Sequence, residues 1–211
     1  AIQVAARLPL PRVASELTRL PFADTRFDLV ATALALQLVD DLPGVLLQIR
    51  RCLKPDGLFL GAVLAGDTLH ELRQAFGEAE SEITGGVSPR VAPFAAVRDL
   101  GALLQRAGFA LPVADSDVLT VTYQSPAALI AELRAAGAAN PLVARSRVPL
   151  RRAVLERALA IYQRDFSLAG GRVQATFEIV TLTGWAPHES QQQPLRPGSA
   201  RSSLAEALKR R

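Results

Sequence analysis

Four polar positions stand where this chain could do chemistry. Gln37 follows the apolar run Phe27–Ala33. Its amide can both donate and accept hydrogen bonds, so it can orient a bound group; a solvated helix start is the alternative. Asp67 follows a second apolar run, Leu58–Leu64. A carboxylate there can face a ligand, or it can cap a helix and oppose its dipole, an effect of about 1 kcal/mol. Arg90 lies in the loop Ser88-Pro89-Arg90, where a guanidinium can grip an anion through paired hydrogen bonds or stand as surface charge. His188 and Glu189 form an adjacent pair. A histidine that titrates near neutrality can act as general base, but neighbours on an extended chain point opposite ways. The pair therefore cannot share one proton, and docking of the tail is the competing role. Trp185 reads as core or lid packing.

The elements that would hold these residues follow from periodicity. Phe27–Ala33 and Leu58–Leu64 are short apolar runs of the kind buried in parallel sheets. Between them, Leu42, Val45, Leu46, Ile49 and Leu53 recur at helical spacing after Asp41, with Pro43 in the first turn. Lys54-Pro55-Asp56-Gly57 reads as the turn that ends this helix. A strand–helix–strand unit results, which implies an α/β sheet with a right-handed crossover. Thr68-x-x-Glu71 has the form of a capping box for a helix over 69–82. Gly85–Pro93 is a loop, and 94–107 is a helix stopped by Gly108. Val118–Tyr123 is a strand, 126–136 and 149–166 are helices, and Val173–Thr183 is a long final strand. The tail is Gln/Pro/Ser-rich and closes in a short helix from Leu204.

Composition narrows the class. The 211 residues are 49% hydrophobic and 21% charged, as in ordinary globular domains. No apolar run approaches the roughly 18 residues of a membrane span. One cysteine and two histidines leave no disulfide and no metal centre, and a reducing, cytoplasmic setting fits, with peripheral association at an inner membrane face. The net charge is +4, concentrated in Arg145, Arg147, Arg151 and Arg152 and in the tail. Such charge suits an acidic protein partner or plain solvated surface; with 5% aromatic residues and none interleaved, nucleic acid is not expected. The chain starts at Ala1 and contains no methionine, so either such positions are replaced or residues precede the first.

Two segments carry a family resemblance. Leu20-Pro21-Phe22-Ala23-Asp24-x-x-Phe27-Asp28-Leu29-Val30 resembles the segment entering the fourth sheet strand of class I, type 11 S-adenosylmethionine (SAM) methyltransferases. Leu53-Lys54-Pro55-Asp56-Gly57 resembles their turn before the fifth strand. Asp40-Asp41-Leu42-Pro43, Gly66-Asp67-Thr68-Leu69-x-Glu71-Leu72-Arg73, Gly85-Gly86-x-Ser88-Pro89, Gly184-Trp185 and His188-Glu189-Ser190-Gln191 resemble the mitochondrial complex I assembly factor 5 group and its bacterial relatives. The malonyl-carrier-protein methyltransferases of biotin synthesis are a more distant match, around Leu34-Ala35-x-Gln37.

The resemblance implies a Rossmann-like sheet with incomplete N-terminal strands and a helical lid inserted before the last strand. The expected division is 1–125 for the C-terminal part of the SAM-binding core, 126–170 for the lid, 171–184 for the last strand and 185–211 for a basic tail. Ser15, Glu16, Leu17, Ala33 and Leu34 would bind the cofactor. Gln37, Asp67 and His188 would be catalytic, and Arg90 and Trp185 would meet the substrate. The implied function is SAM-dependent methyl transfer to a protein or small acidic substrate. Arginine hydroxylation and assembly of respiratory complex I through one of its subunits is the second reading, and a non-catalytic binding module is the third. One departure is plain: no glycine occurs before Gly44, so the glycine-rich loop that cradles the SAM carboxypropyl end is absent from this stretch. The 211-residue chain alone is therefore expected to bind SAM weakly or not at all, and calorimetry showing micromolar affinity would refute this.

Overall fold

The computed structural model describes residues 11, 13–138, 140 and 145–192, so the helix expected from Leu204 lies outside the described residues. Strands β1 (Phe27–Ala33), β2 (Leu53–Leu64), β3 (Ala110–Tyr123) and β4 (Val173–Trp185) form one sheet in the order β1-β2-β4-β3. β1 and β2 are parallel, and β4 runs antiparallel to both β2 and β3. The sheet is the α/β arrangement expected, with the last strand in sequence one place in from the edge.

Helix α1 (Leu42–Cys52) makes the crossover between β1 and β2. The Asp41 carboxylate accepts from the Gly44 N–H at 2.9 Å, and Pro43 sits where a missing N–H costs nothing. Its buried face, Val45, Leu46 and Ile49, packs with Phe59 and Val63 of β2. Helix α3 (Val97–Arg106) adds Leu100 and Leu104 to the same core, together with Phe109 and Leu182. The Lys54–Gly57 stretch is not a turn between helix and strand. β2 already begins at Leu53, and the register slips between the pairs Phe27–Leu53 and Leu29–Leu58. An irregularity with Asp56 at φ 61° absorbs the extra residues.

The capping box is also not formed. Helix α2 (His70–Thr84) has Leu69 as its N-cap, at φ 54° and without a side-chain cap. Thr68 and Glu71 act elsewhere. β2 ends at Leu64 opposite Ile179, while β4 continues beyond it with a backbone edge that no strand covers. The segment after β2 satisfies that edge. The Ala65 N–H donates to Glu178 O at 2.9 Å and the Leu69 N–H to Thr176 O at 2.8 Å. Thr68 Oγ1 accepts from the Glu178 N–H and donates to Glu178 O, each at 3.1 Å. The Glu71 carboxylate accepts from the Thr176 N–H at 3.1 Å and from Thr176 Oγ1 at 2.6 Å. Thr68 and Glu71 are both fully buried. Local capping lost to this long-range pairing because an unpaired buried backbone group costs more than an uncapped helix end.

A second core forms around α2, α4 (Pro126–Ala135) and α5 (Arg152–Asp165). It joins Leu72, Phe76, Leu129, Ile161 and Tyr162 to Val173 and Ala175 of β4. The Tyr162 hydroxyl donates to Gln174 O at 2.8 Å. The sheet face opposite α1 and α3 is covered only at this end. Farther along, Leu29, Leu60 and Val113 remain 54%, 41% and 53% exposed. Thr68→Val should destabilise the protein by about 1–3 kcal/mol, and Glu71→Leu by more than Glu71→Gln, as measured by chemical denaturation.

Candidate functional site

The C-terminal end of β1 leads into the site. Leu34 turns the chain at φ 50°, with its N–H donated to Ala62 O at 2.8 Å, and a short 3₁₀ turn, Leu36–Leu38, follows. Gln37 is fixed within that turn: its Nε2 donates to Leu34 O at 2.7 Å. The opposite atom, Oε1, is buried with no hydrogen-bond partner. Rotating the amide would set two carbonyl oxygens against each other, so Oε1 stays the inward atom. An unmet acceptor in a buried position calls for a donor from a bound molecule.

Gln37 lines a cleft of about 400 Å³. Leu64 at the end of β2 and Leu69 and Leu72 at the start of α2 form one side of it. The loop residues Arg90, Val91 and Phe94 form another, and Leu133, Ala138 and Asn140 close it from the segment that follows α4's core contacts. Asp40 adds a carboxylate. Apolar walls around a few fixed polar groups are the usual make-up of a ligand pocket. A second groove of about 380 Å³ runs beside β1, which is an edge strand among the described residues, and is lined by Leu17, Phe22, Leu29, Ala31, Thr32 and Leu36 among others. It passes Ala33 and Leu34 on either side in sequence. Ser15 and Glu16 are exposed just before Leu17, and the chain that follows them is hooked to α1 by Gln48, which donates to Thr18 O and accepts from the Leu20 N–H.

Other expected residues stand apart. Asp67 is exposed, does not line the cleft, and gives its N–H to Glu178 Oε2 at 2.8 Å. Trp185 pairs with Leu58 at the start of β2, the end of the sheet away from Gln37. His188 is at that same far end: its Nδ1 lies 2.8 Å from Ser190 Oγ, and Gln191 bonds both the His188 N–H and the Asp56 carboxylate. Gln37 thus has neither His188 nor Trp185 as a neighbour. Arg90 does reach the cleft, but its Nε donates to Glu80 at 2.6 Å. An ion-paired guanidinium is a poor hold for an acidic substrate.

Glu80, Asp40 and Asn140 belong to the surroundings of this site and were not singled out by the sequence. Burial pushes the Glu80 carboxyl up, but the Ser88 N–H, the Arg90 guanidinium and the Ser88 hydroxyl outweigh burial and hold it below its ordinary 4.5. A depressed folded value means that the stabilisation is complete above the unfolded value and is lost as pH falls through the folded one. The stability gap between wild type and Glu80→Gln should therefore be widest near neutrality and shrink below about pH 4.5, read from denaturation midpoints across pH.

Comparison with known proteins shows what the chain is similar to. The family described as methyltransferase domain (type 11) matches residues 2–61. The chain is 40% identical over 202 residues to the mitochondrial arginine-hydroxylase NDUFAF5 of Danio rerio, covering 96% of this chain and 63% of that protein. It is 42% identical over 199 residues to the Homo sapiens protein of the same name, covering 94% of this chain and 57% of that one. Against the malonyl-[acyl-carrier protein] O-methyltransferase of Halorhodospira halophila it is 35% identical, with 94% of this chain and 65% of that protein covered. The chain thus spans about three-fifths of the length of these relatives. Among solved structures, the YcgJ protein of Bacillus subtilis superposes with a TM-score of 0.53 at 14% identity, over 82% of this chain and 70% of that chain. A Bacillus halodurans protein described as a methyltransferase gives 0.52 at 15% identity, over 84% and 78%. Those identities speak for the fold alone. Over nearly its whole length the chain is similar in sequence to these relatives, its residues 2–61 match the methyltransferase-domain family, and it shares its fold with the two solved structures.

Proposed function

We propose that the cleft beside Gln37 receives the acceptor group of a SAM-dependent methyltransferase-type reaction. The observation that carries this reading is Gln37, which lines an apolar cleft at the end of a parallel strand and whose Oε1 is buried and unpartnered. In doubly wound sheets that end is where ligands bind. The described residues fit the cofactor in part. Of the expected cofactor residues Leu17 lines the apolar groove beside β1, which would suit a flat heterocycle, while Ala33 and Leu34 follow its lining residue Thr32 in sequence and Ser15 and Glu16 precede Leu17. The carboxypropyl end has no counterpart, because no glycine precedes Gly44 to let backbone N–H groups approach closely. When bound, SAM supplies a methyl group already activated on a sulfonium, so the protein's share is alignment.

What this chain's residues do is bind and orient. Gln37 Oε1 accepts a hydrogen bond from the acceptor group and fixes its rotation. Leu69, Leu72, Val91 and Leu133 exclude water from it. Asp40 favours a donor-rich or cationic group over an acid, and Arg90 does not reverse that preference while Glu80 holds it. A protein side chain bearing N–H groups suits this lining better than the small acidic substrate. Asp67 and His188, away from the cleft, have no acid–base part in this reading.

A second reading has its own support. Several relatives at 39–42% identity bear the name arginine-hydroxylase, and an acceptor oxygen with a nearby carboxylate suits a guanidinium. On that reading the protein acts on a subunit of respiratory complex I during its assembly. Among the described residues no helix is long and apolar enough to cross a membrane.

Labelled SAM and arginine-bearing peptides, incubated with the protein at its natural length, separate the two. Transfer of the labelled methyl group supports the first reading; with dioxygen and a two-electron reductant also supplied, gain of an oxygen without label supports the second. In either case Gln37→Leu should lower kcat/KM by roughly tenfold to a hundredfold. An unchanged value would remove Gln37 from the site.

A further inference from the structure

We propose that Glu80 is a positioning residue: it latches residues 86–91 into place as the wall between the candidate cleft and a second cleft behind it. The inference rests on the cleft assignment above and concerns how its shape is maintained. Glu80 lies one turn before the end of α2, with its side chain 5% exposed. Each donor its carboxylate accepts from belongs to the loop that follows. The Ser88 N–H lies at 2.6 Å, Ser88 Oγ at 2.8 Å from both oxygens, and Arg90 Nε at 2.6 Å. The loop contributes little of its own: Arg90 N–H to Ser88 O is a local turn, and Thr84 Oγ1 ties only Gly86 to the helix end. Asn140 Nδ2 donates to Pro89 O and Arg90 O from the opposite side.

The consequence is geometric. Arg90 lines the 400 Å³ cleft together with Val91, Ala92 and Pro93. It also lines a 280 Å³ cleft together with Val87, Ser88, Val148 and Arg151. The loop is therefore a partition, held on the α2 side by the Glu80 carboxylate and on the other by Asn140. Without the latch, Val91 leaves the side of the acceptor cleft, the two clefts merge, and Arg90 is free for anions. A helix-borne anchor holds a wall more closely than a loop holds itself, because only side chains locked by packing keep a site within the tolerance that catalysis needs.

The test uses Glu80→Gln, with Ser88→Ala/Arg90→Ala as a second route that weakens the latch by removing its two side-chain donors, keeps only the Ser88 N–H bond and leaves α2 untouched. Amide hydrogen exchange at Ser88, and maleimide labelling of Val91→Cys against the buried Cys52 background, report the loop directly. Both rates should rise at least about tenfold in either latch variant, while the thermal midpoint moves by only a few degrees. With the acceptor found above, KM should rise and kcat stay close to wild type. Unchanged exchange and labelling in both variants overturn the latch. Should Glu80→Gln unfold the protein, the double variant decides alone. A released loop with an unaltered KM sinks the cleft assignment beneath the proposal and not the latch itself.

Discussion

The fold depends on how β4 is completed after β2 runs out. β4 is paired with β3 along its length, but past Ile179 its other edge faces the protein interior with no strand beside it. Backbone groups buried there must find partners or cost the stability of the sheet. Thr68 and Glu71 supply them, one hydroxyl serving both groups of Glu178 and one carboxylate serving Thr176 twice. Because those side chains sit immediately before and within the first turn of α2, the helix can start in only one place and one direction. Leu69 and Leu72, which wall the cleft, take their positions from that start. The carboxylate of Glu178 extends the same arrangement outward, accepting from the Asp67 N–H and from Ser116 Oγ on β3.

β4 is also the element that both cores share. Val180 and Leu182 belong to the core under α1 and α3, while Val173 and Ala175 belong to the core under α2, α4 and α5. Burying aliphatic side chains to near zero exposure in both contributes on the order of 1.5–3 kcal/mol per residue before entropy is counted. By comparison, the ion pairs that cross from α5 to α2, Arg157–Glu82 and Arg164–Glu78, are substantially exposed, and such pairs contribute about 0–1 kcal/mol. Packing sets the relation of α5 to the sheet, and the charges trim it. The same discount applies to Arg152, which is 91% exposed and already paired with Glu156 one turn on. That pairing reduces the uncompensated charge of the cluster that the sequence offers for an acidic partner.

What the sequence revealed were features whose causes are local. Phe27–Ala33 is a strand because it is a short apolar run between polar turns, and its limits agree with the structure. Asp41 caps α1 because its side chain reaches the N–H three residues on. The sequence misled where a local pattern was overruled at long range. Thr68-x-x-Glu71 has the spacing of a capping box, yet both side chains bond residues more than a hundred positions away. Lys54-Pro55-Asp56-Gly57 has turn composition, yet pairing with β1 and the contacts of Asp56 and Gly57 with Ala186 keep it within a strand. Arg90 reads as a free anion hold because nothing in the loop signals its partner. Glu80 looks like an ordinary surface acid of a helix until the loop folds over it. His188 and Glu189 are adjacent in sequence and chemically suggestive, but β4 carries them to the end of the sheet remote from Gln37 because it runs antiparallel to β2.

That antiparallel course also explains why so little of the candidate site comes from the last strand. Ligand-facing residues of an α/β sheet gather where parallel strands end, since the following loops emerge there together. Here β1 and β2 end together, and Gln37, Leu64 and Leu69 gather with them. β4 begins near that end and leaves it, so the described residues after Trp185 lie at the other end of the sheet. The connections that do emerge beside Gln37 are the loop before α3 and the chain after α4, and both are held by side chains, Glu80 for one and Asn140 between the two. The cleft is thus a framework of strand ends enclosed by segments whose placement rests on a few polar contacts. The framework is what the chain shares in fold with the two solved structures at 14–15% identity. The enclosing segments are where it can differ from them, and on the proposed reading the selectivity of the cleft would come from Gln37, Asp40 and the loop that carries Arg90, all of which line it.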